Sequence, residues 1–381
     1  MRHYLDHNAT SPLRREARAA LFAVYDAPAG NASSMHAEGR AARALLDASR
    51  AEVALLAGVP PKDVVFTSGG SEAVAAAIRG VADRAVPTAK RIVVSAIEHS
   101  SVLDAARALS ALGFEVVEVP CEPSGRVDAE AFAARLDGRT ALACLQAANN
   151  ETGVLQPVAE VGAACRASKV PFLVDAVQAA GKIAIDRQGW CADLVALSSH
   201  KLGGPQGAGA LIVREGFAMA PLIAGGAQER RRRGGTEAIA VLTSFGAACA
   251  AAARDLREEP ERLLALRLRL EAAFRALSDG VRIHGEQVPR LANTVNAAFP
   301  GVSGETLVIA LDLAGFAVST GSACASGAVT PSHVIRAMGY GEEEARGAVR
   351  VSLGWNTTSD AIDALLAALP SLLARATMAG R

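Results

Sequence analysis

The chain has 381 residues, 51% of them hydrophobic and 20% charged, so it can bury a substantial core and is not a disordered protein. It carries 39 basic and 39 acidic side chains, and at zero formal charge bulk electrostatics gives no help in binding nucleic acid or an acidic membrane. At about 150 residues per domain, this length suggests two or three domains.

Residues 1–6 lack the apolar run of a secretory signal. The weakly polar stretch 238–253 is too short for a membrane span and reads as a buried helix. The six cysteines, at positions 121, 144, 165, 191, 249 and 324, form no C-x-x-C pair, which argues against a zinc ribbon and a disulfide scaffold. A soluble, cytoplasmic protein with reduced thiols and no metal site is expected.

Apolar, β-branched runs predict strands over 64–67, 91–95, 114–119, 140–146, 171–175, 193–198 and 208–213. Helical spacing fills most of the gaps, over 71–85, 101–112 and 158–167. Such alternation predicts an α/β fold with a mostly parallel sheet covered on both faces, and ligands at the carboxyl ends of its strands. Beyond residue 235 two long helices, 236–256 and 259–277, lead into a smaller α+β region. The expected division is a large domain over 13–256 and a small one over 257–381, with residues 1–12 packing on the latter.

The unusual residues fall at strand ends. Phe66-Thr67-Ser68-Gly69-Gly70-Ser71-Glu72 runs from a strand through a Gly/Ser turn into a helix, where free N–H groups and hydroxyls can cradle a phosphate. Glu98-His99 follows the next strand; this histidine is either a cap or a site residue. Val174-Asp175-Ala176-Val177-Gln178 puts an acid at the end of a buried strand, where it needs a cation or serves as a helix N-cap. Ser198-Ser199-His200-Lys201 precedes Gly203-Gly204. Lys201 is either a surface lysine in a turn or, if enclosed, an amine able to form a Schiff base. An Asp beside a pyridinium nitrogen with a lysine in imine linkage is what pyridoxal phosphate (PLP) requires. Finally, the small residues of Ser319-Thr320-Gly321-Ser322-Ala323-Cys324-Ala325-Ser326-Gly327 cannot pack a core, which makes Cys324 the candidate nucleophile among the cysteines.

In this order and spacing the motifs resemble the cysteine desulfurases, a branch of the class V aminotransferases with the PLP-dependent fold type I. The resemblance also takes in Tyr4-Leu5-Asp6, Asn149-Asn150-Glu151-Thr152-Gly153, Gln228-Glu229-Arg230, Gly235-Thr236 and Val349-Arg350-Val351. It implies that Lys201 holds PLP and then takes the Cα proton, that Asp175 keeps the ring nitrogen protonated, that His99 stacks on the ring, and that Gln178 bonds its phenolic oxygen. Gly70, Ser71, Ser198 and His200 would hold the phosphate, with Thr236 reaching the phosphate of a neighbouring subunit in a homodimer. Asn150 and Arg350 would face L-cysteine, Arg350 clamping its carboxylate. Cys324 would attack the sulfur, giving alanine and a persulfide for a protein sulfur acceptor, such as an iron–sulfur scaffold. A selenocysteine lyase or another class V lyase or aminotransferase is the alternative.

Departures from the family pattern are Ala227 where histidine is usual and the absence of an arginine near Trp355. The chain also ends at Ala379-Gly380-Arg381, without the extension by which housekeeping members dock their scaffold, which counts against that docking.

Overall fold

The computed structural model describes residues 2–28, 30–320 and 330–379. The chain opens with strand β1 (His3–Tyr4) and helices α1 (Arg15–Tyr25) and α2 (Ala37–Leu56). Strands and helices then alternate through β2 (Val64–Thr67), α3 (Gly70–Ala82), β3 (Arg91–Ser95), α4 (Ser100–Ala108), β4 (Glu115–Val119), α5 (Ala129–Ala133), β5 (Thr140–Gln146), α6 (Val158–Ala167), β6 (Phe172–Asp175), β7 (Leu194–Ser198) and β8 (Gly209–Val213). Two long helices follow, α7 (Ile239–Asp255) and α8 (Glu259–Leu277). The rest comprises β9 (Arg282–Ile283), β10 (Thr294–Ala298), α9 (Gly304–Leu313), β11 (Phe316–Ala317), α10 (His333–Ala337), α11 (Glu342–Gly347), β12 (Ala348–Ser352) and α12 (Ser359–Ala379).

All the expected strands form, none displaced by more than one residue at either end. They make one seven-stranded sheet in the order β2-β8-β7-β6-β5-β3-β4. Within it β8 runs antiparallel to both its neighbours, and the other pairs are parallel. The carboxyl ends of β2, β3, β5, β6 and β7 therefore share one edge.

Alternate residues on each strand feed two separate cores. Val93, Leu145, Val174 and Leu197 join one, where α2, α6 and α7 supply Leu46, Val161 and Phe245. Ile92, Leu142, Leu173 and Ala196 join the other, beneath Val74 and Ile78 of α3 and Val102 of α4. Strands buried on both faces have continuous apolar sequences, which is why their ends were easy to read. The helix expected over 101–112 is α-helical only to Ala108; residues 109–112 tighten into a 3-10 turn closed by Gly113 at φ 80°. The one expected from 236 starts at Ile239, because Gly235 (φ 107°) and Ala238 hold non-helical backbone.

As expected, the apolar stretch beginning at 238 is a core helix: Leu242, Phe245, Cys249 and Ala252 of α7 all pack on the sheet. No single helix among the described residues is long and apolar enough to cross a membrane; α7 and α8 together reach that length only across a 74° bend. A third core surrounds the antiparallel sheet β12-β10-β9 and takes in Leu5. Strand β1 pairs with β11, and Asp6 bridges to Ser352, so residues 3–6 belong to this part of the molecule.

Candidate active site

Strand β7 ends at Ser198, residues 199–201 make one 3-10 turn, and Gly203 at φ 80° stops it. A Cβ on Gly203 would also lie 2.7 Å from Arg14 Cγ, so no side chain fits there. Lys201 is thereby placed at the carboxyl edge of the sheet. Its Nζ donates to the Asn8 carbonyl at 2.6 Å and the Ala9 carbonyl at 2.7 Å. Burial, then the charge of Arg350, lowers this amine to about 8, against the opposing pull of Asp6 and Asp175. Near neutral pH an appreciable fraction is therefore unprotonated and nucleophilic.

Asp175 ends the adjacent strand β6. Its Oδ1 accepts the Val177 N–H at 2.9 Å. Burial raises its pKa, while His99 and Lys201 act in the opposite direction. His99 follows β3 and caps α4, its Nδ1 accepting the Ser101 N–H at 3.1 Å. Since that N–H can only donate, a neutral His99 carries its proton on Nε2. The ring is exposed yet lies within electrostatic reach of Asp175, Lys201 and His333; desolvation is the main cause of its lowered pKa.

Arg350 enters from β12. It donates from Nη2 to Asp6 Oδ1 at 2.7 Å and from Nη1 to the Asn150 carbonyl at 3.0 Å, while its buried Nε has no partner among the described residues. Asn8 joins these groups. Its amide donates to the Asn150 carbonyl and to Thr294 Oγ1, and its carbonyl receives both Lys201 Nζ and Gln178 Nε2.

The structure thus brings Lys201, Asp175, His99, Gln178, Asn150 and Arg350 to one edge. His200 is turned toward the N-terminal segment, its Nδ1 3.1 Å from Thr10 Oγ1, and burial lowers its pKa to about 4. Thr236 is exposed, in the segment before α7. Cys324 lies outside the described residues.

Sequence reasoning missed several members. Asn8 and Lys182 lie beside recognised motifs but carry no signature of their own. Glu98 and Glu151 were read only as parts of motifs, although burial raises the pKa of both, that of Glu98 to about 8. Ser332 donates to Glu151 Oε2 at 2.5 Å and His333 Nε2 to the Glu98 carbonyl at 3.0 Å, so α10 starts against this edge. A cavity of about 380 Å³ lined by Arg166, Arg187, Cys191 and Arg214 lies at the opposite, amino-terminal ends of β6 and β7, away from these groups. No cluster that could hold a metal ion occurs among the described residues.

The donor set fits a phosphorylated pyridine cofactor. Helix α3 starts at Gly69-Gly70 with no side chain capping it, leaving its first N–H groups for an anion. A Cβ at Gly70 would come 2.9 Å from Val177 Cγ2 and 3.2 Å from Ser198 Cβ, so glycine keeps that space clear beside the serine. Asp175, buried with one hydrogen bond from the described residues, needs the donor that a protonated ring nitrogen supplies.

Residues 3–365 match the family model described as Aminotransferase class-V. The chain is 43% identical over 374 residues to a cysteine desulfurase of Cereibacter sphaeroides, spanning 98% of this chain and 96% of that protein. It is 36% identical to the cysteine desulfurase IscS of Methanosarcina thermophila, over 97% and 91% of the two chains. Among solved structures, a NifS-like protein superposes with a TM-score of 0.92 at 32% identity, covering 98% of this chain and all of the other. The structure titled SspA in complex with cysteine gives 0.82 at 30%, over 93% and 99%. The mostly parallel seven-stranded sheet with its smaller α+β part is the fold type I architecture of PLP enzymes, and the chain belongs to the class V aminotransferase family.

Proposed function

We propose that this protein is a cysteine desulfurase, converting L-cysteine to L-alanine and passing the sulfur to an acceptor protein. The observation that carries this reading is the meeting of Lys201, its amine lowered to about 8, with buried Asp175 on one sheet edge, opposite Arg350. Kinship with cysteine desulfurases over nearly the whole chain supports it.

PLP, held by Lys201, supplies an electron sink once it is bound. Around it, the bare start of α3 at Gly70 and Ser71, with Ser198 and His200, serves the phosphate. Asp175 keeps a proton on the ring nitrogen, His99 covers the ring, and Gln178 serves the phenolic oxygen. Arg350 and Asn150 orient the substrate; Arg350 Nε, without a partner among the described residues, is a donor available to its carboxylate. Lys201 Nζ moves the Cα proton. The Cys324 thiolate attacks the substrate sulfur; the electrons of the breaking Cβ–S bond remain on the alanine side, where Cβ gains a proton, and Cys324 keeps the sulfur as a persulfide.

The reading includes a large domain over 13–256, a small one over 257–381 joined by residues 1–12, and a homodimer in which Thr236 serves the neighbouring site. The exposed Leu222 and Ile223, in the same segment as Thr236, suit burial against a second copy. The test is to incubate PLP-loaded protein with L-cysteine and quantify alanine and protein-bound sulfur. Equal amounts, with the sulfur on the peptide containing Cys324, are expected; pyruvate or a keto acid in place of alanine would overturn the reading.

A further inference from the structure

Lys182 is a half-buried basic side chain beside the site for which the reaction above has no use. It lies one helical turn's spacing after Gln178, and its Nζ donates to two oxygens of that residue, the carbonyl and Oε1, both at 3.0 Å. The Asn8 carbonyl can only accept, so the Gln178 amide has its Nε2 toward Asn8 and its Oε1 toward Lys182, whose ammonium form donates to it. On that side Nε2 donates at 3.0 Å to the Asn8 carbonyl, the same oxygen that receives Lys201 Nζ at 2.6 Å. The amide N–H of Gln178 is thus presented, as a donor, beside the reactive amine.

We propose that Lys182 is a positioning residue, which holds Gln178 with its N–H side toward Lys201 so that an anionic oxygen placed there is bonded and not repelled. This rests on the reading that Gln178 serves the phenolic oxygen of PLP. A donor at that oxygen stabilises its anion and makes the neighbouring Schiff-base nitrogen easier to deprotonate. With the amide reversed, Oε1 would face the anion and the effect would change sign.

The surroundings match a cation kept for this task. Lys201 and Arg350 are the charges that act on Lys182, and both are positive; Lys182 in turn disfavours protonation of His7. Arg14 and Glu259 line the small cavity it shares with Lys201, and Lys182 forms no ion pair with a carboxylate among the described residues. Burial with these neighbours lowers its amine to about 7. Charging the amine here, with no carboxylate partner among the described residues, is costly, and the bonds to Gln178 offset part of that cost.

The experiment titrates the visible chromophore of the PLP-loaded protein with pH. Lys182→Met should raise its apparent pKa by about one unit, a tenfold shift, and Lys182→Gln, which retains a donor, should fall between it and the parent. Gln178→Leu should shift the same way, and Gln178→Leu combined with Lys182→Met no further than either alone. If Gln178→Leu shifts the titration and neither Lys182 variant does, the positioning role fails while the Gln178 reading survives. If Gln178→Leu titrates as the parent does, both fall together. Additive shifts in the double variant mean that Lys182 acts by charge alone, which also overturns the proposal. Near-ultraviolet circular dichroism checks the fold, and the Gln variant serves if the Met variant does not fold.

Discussion

Asp6 and Arg350, 344 residues apart in the chain, are joined side chain to side chain at 2.7 Å, with only 16% and 4% of their side chains exposed. The guanidinium expected to meet a substrate carboxylate is therefore already oriented by a carboxylate of the protein. Removing one partner of a buried pair leaves the other charge uncompensated. Asp6→Ala should accordingly lower the unfolding free energy by about 3 kcal/mol, read from urea denaturation. Asp6→Asn should act on Lys201 as well, because Asp6 is among the groups holding that amine up. Its PLP incorporation should reach half-maximal rate at lower pH than in the parent; an unchanged profile would show that Asp6 does not act on the amine.

Lys201→Ala should leave the fold intact, since among the described residues the amine bonds only to two main-chain carbonyls, yet abolish both the PLP chromophore and alanine formation. Asp175→Ala should retain some chromophore but bind PLP more weakly and turn over more slowly, because an unprotonated ring is a poor electron sink. Absorbance and alanine assays check both, and wild-type turnover by either variant would remove that residue from the mechanism.

Cys324→Ser should keep the PLP spectrum and still bind L-cysteine, since Lys201 and Arg350 are untouched. It should lose sulfur transfer, because a hydroxyl cannot replace a thiolate as nucleophile toward sulfur. Intact mass after incubation with L-cysteine, without reductant, reads the result: one added sulfur on the parent and none on the variant. Three of the other cysteines are poor substitutes. Cys144, Cys165 and Cys249 are buried, and burial pushes all three thiols upward, Cys165 to about 12.

Glu98 gives a pH signature in stability. Burial raises its carboxyl to about 8, against the hydrogen bonds from Ser95 and the Gln146 N–H. Between its ordinary value near 4.5 and about 8 the folded protein holds a proton that the unfolded chain releases. The contribution is therefore complete at the acid end and declines as pH rises through that window, by up to roughly 1.4 kcal/mol per pH unit. Glu98→Gln, neutral throughout, should flatten this part of the curve and exceed the parent in stability near pH 8. Urea unfolding at pH 5, 6.5 and 8 would show it, and parallel curves for the two proteins would mean Glu98 is already ionised.

The reach of the sequence had a physical boundary. Strands buried on both faces declared themselves by composition, and Asp175, His99 and Lys201 were found because each ends or follows such a strand. Lys201 in a Gly-rich turn and Asp175 in a core were each ambiguous until the sheet order placed β6 beside β7. Asn8 and Lys182 could not be found that way. Asn8 works largely through its main-chain carbonyl, which every residue has, and Lys182 through a side chain that looks like any surface lysine until its surroundings are known. The left-handed backbone of Glu229, Arg230 and Arg231 was equally hidden; it is pinned by a buried two-pronged pair between Glu229 and Arg50. Such pairings depend on long-range contacts, not on local pattern.

The position of Asn8 also bears on how a newly made chain becomes active. Its side chain and N–H bond to Asn293, Thr294 and Ser352, between 285 and 344 residues further on. On the ribosome, β2 to β8 can assemble their sheet and set Lys201 at its edge long before these partners exist. The carbonyls that hold the amine can settle only after β12 has emerged and β1 has found β11. Vectorial synthesis therefore completes the sheet edge that carries Lys201 early and the strand that carries Arg350 late, so a nascent chain presents the lysine before the groups that face it exist.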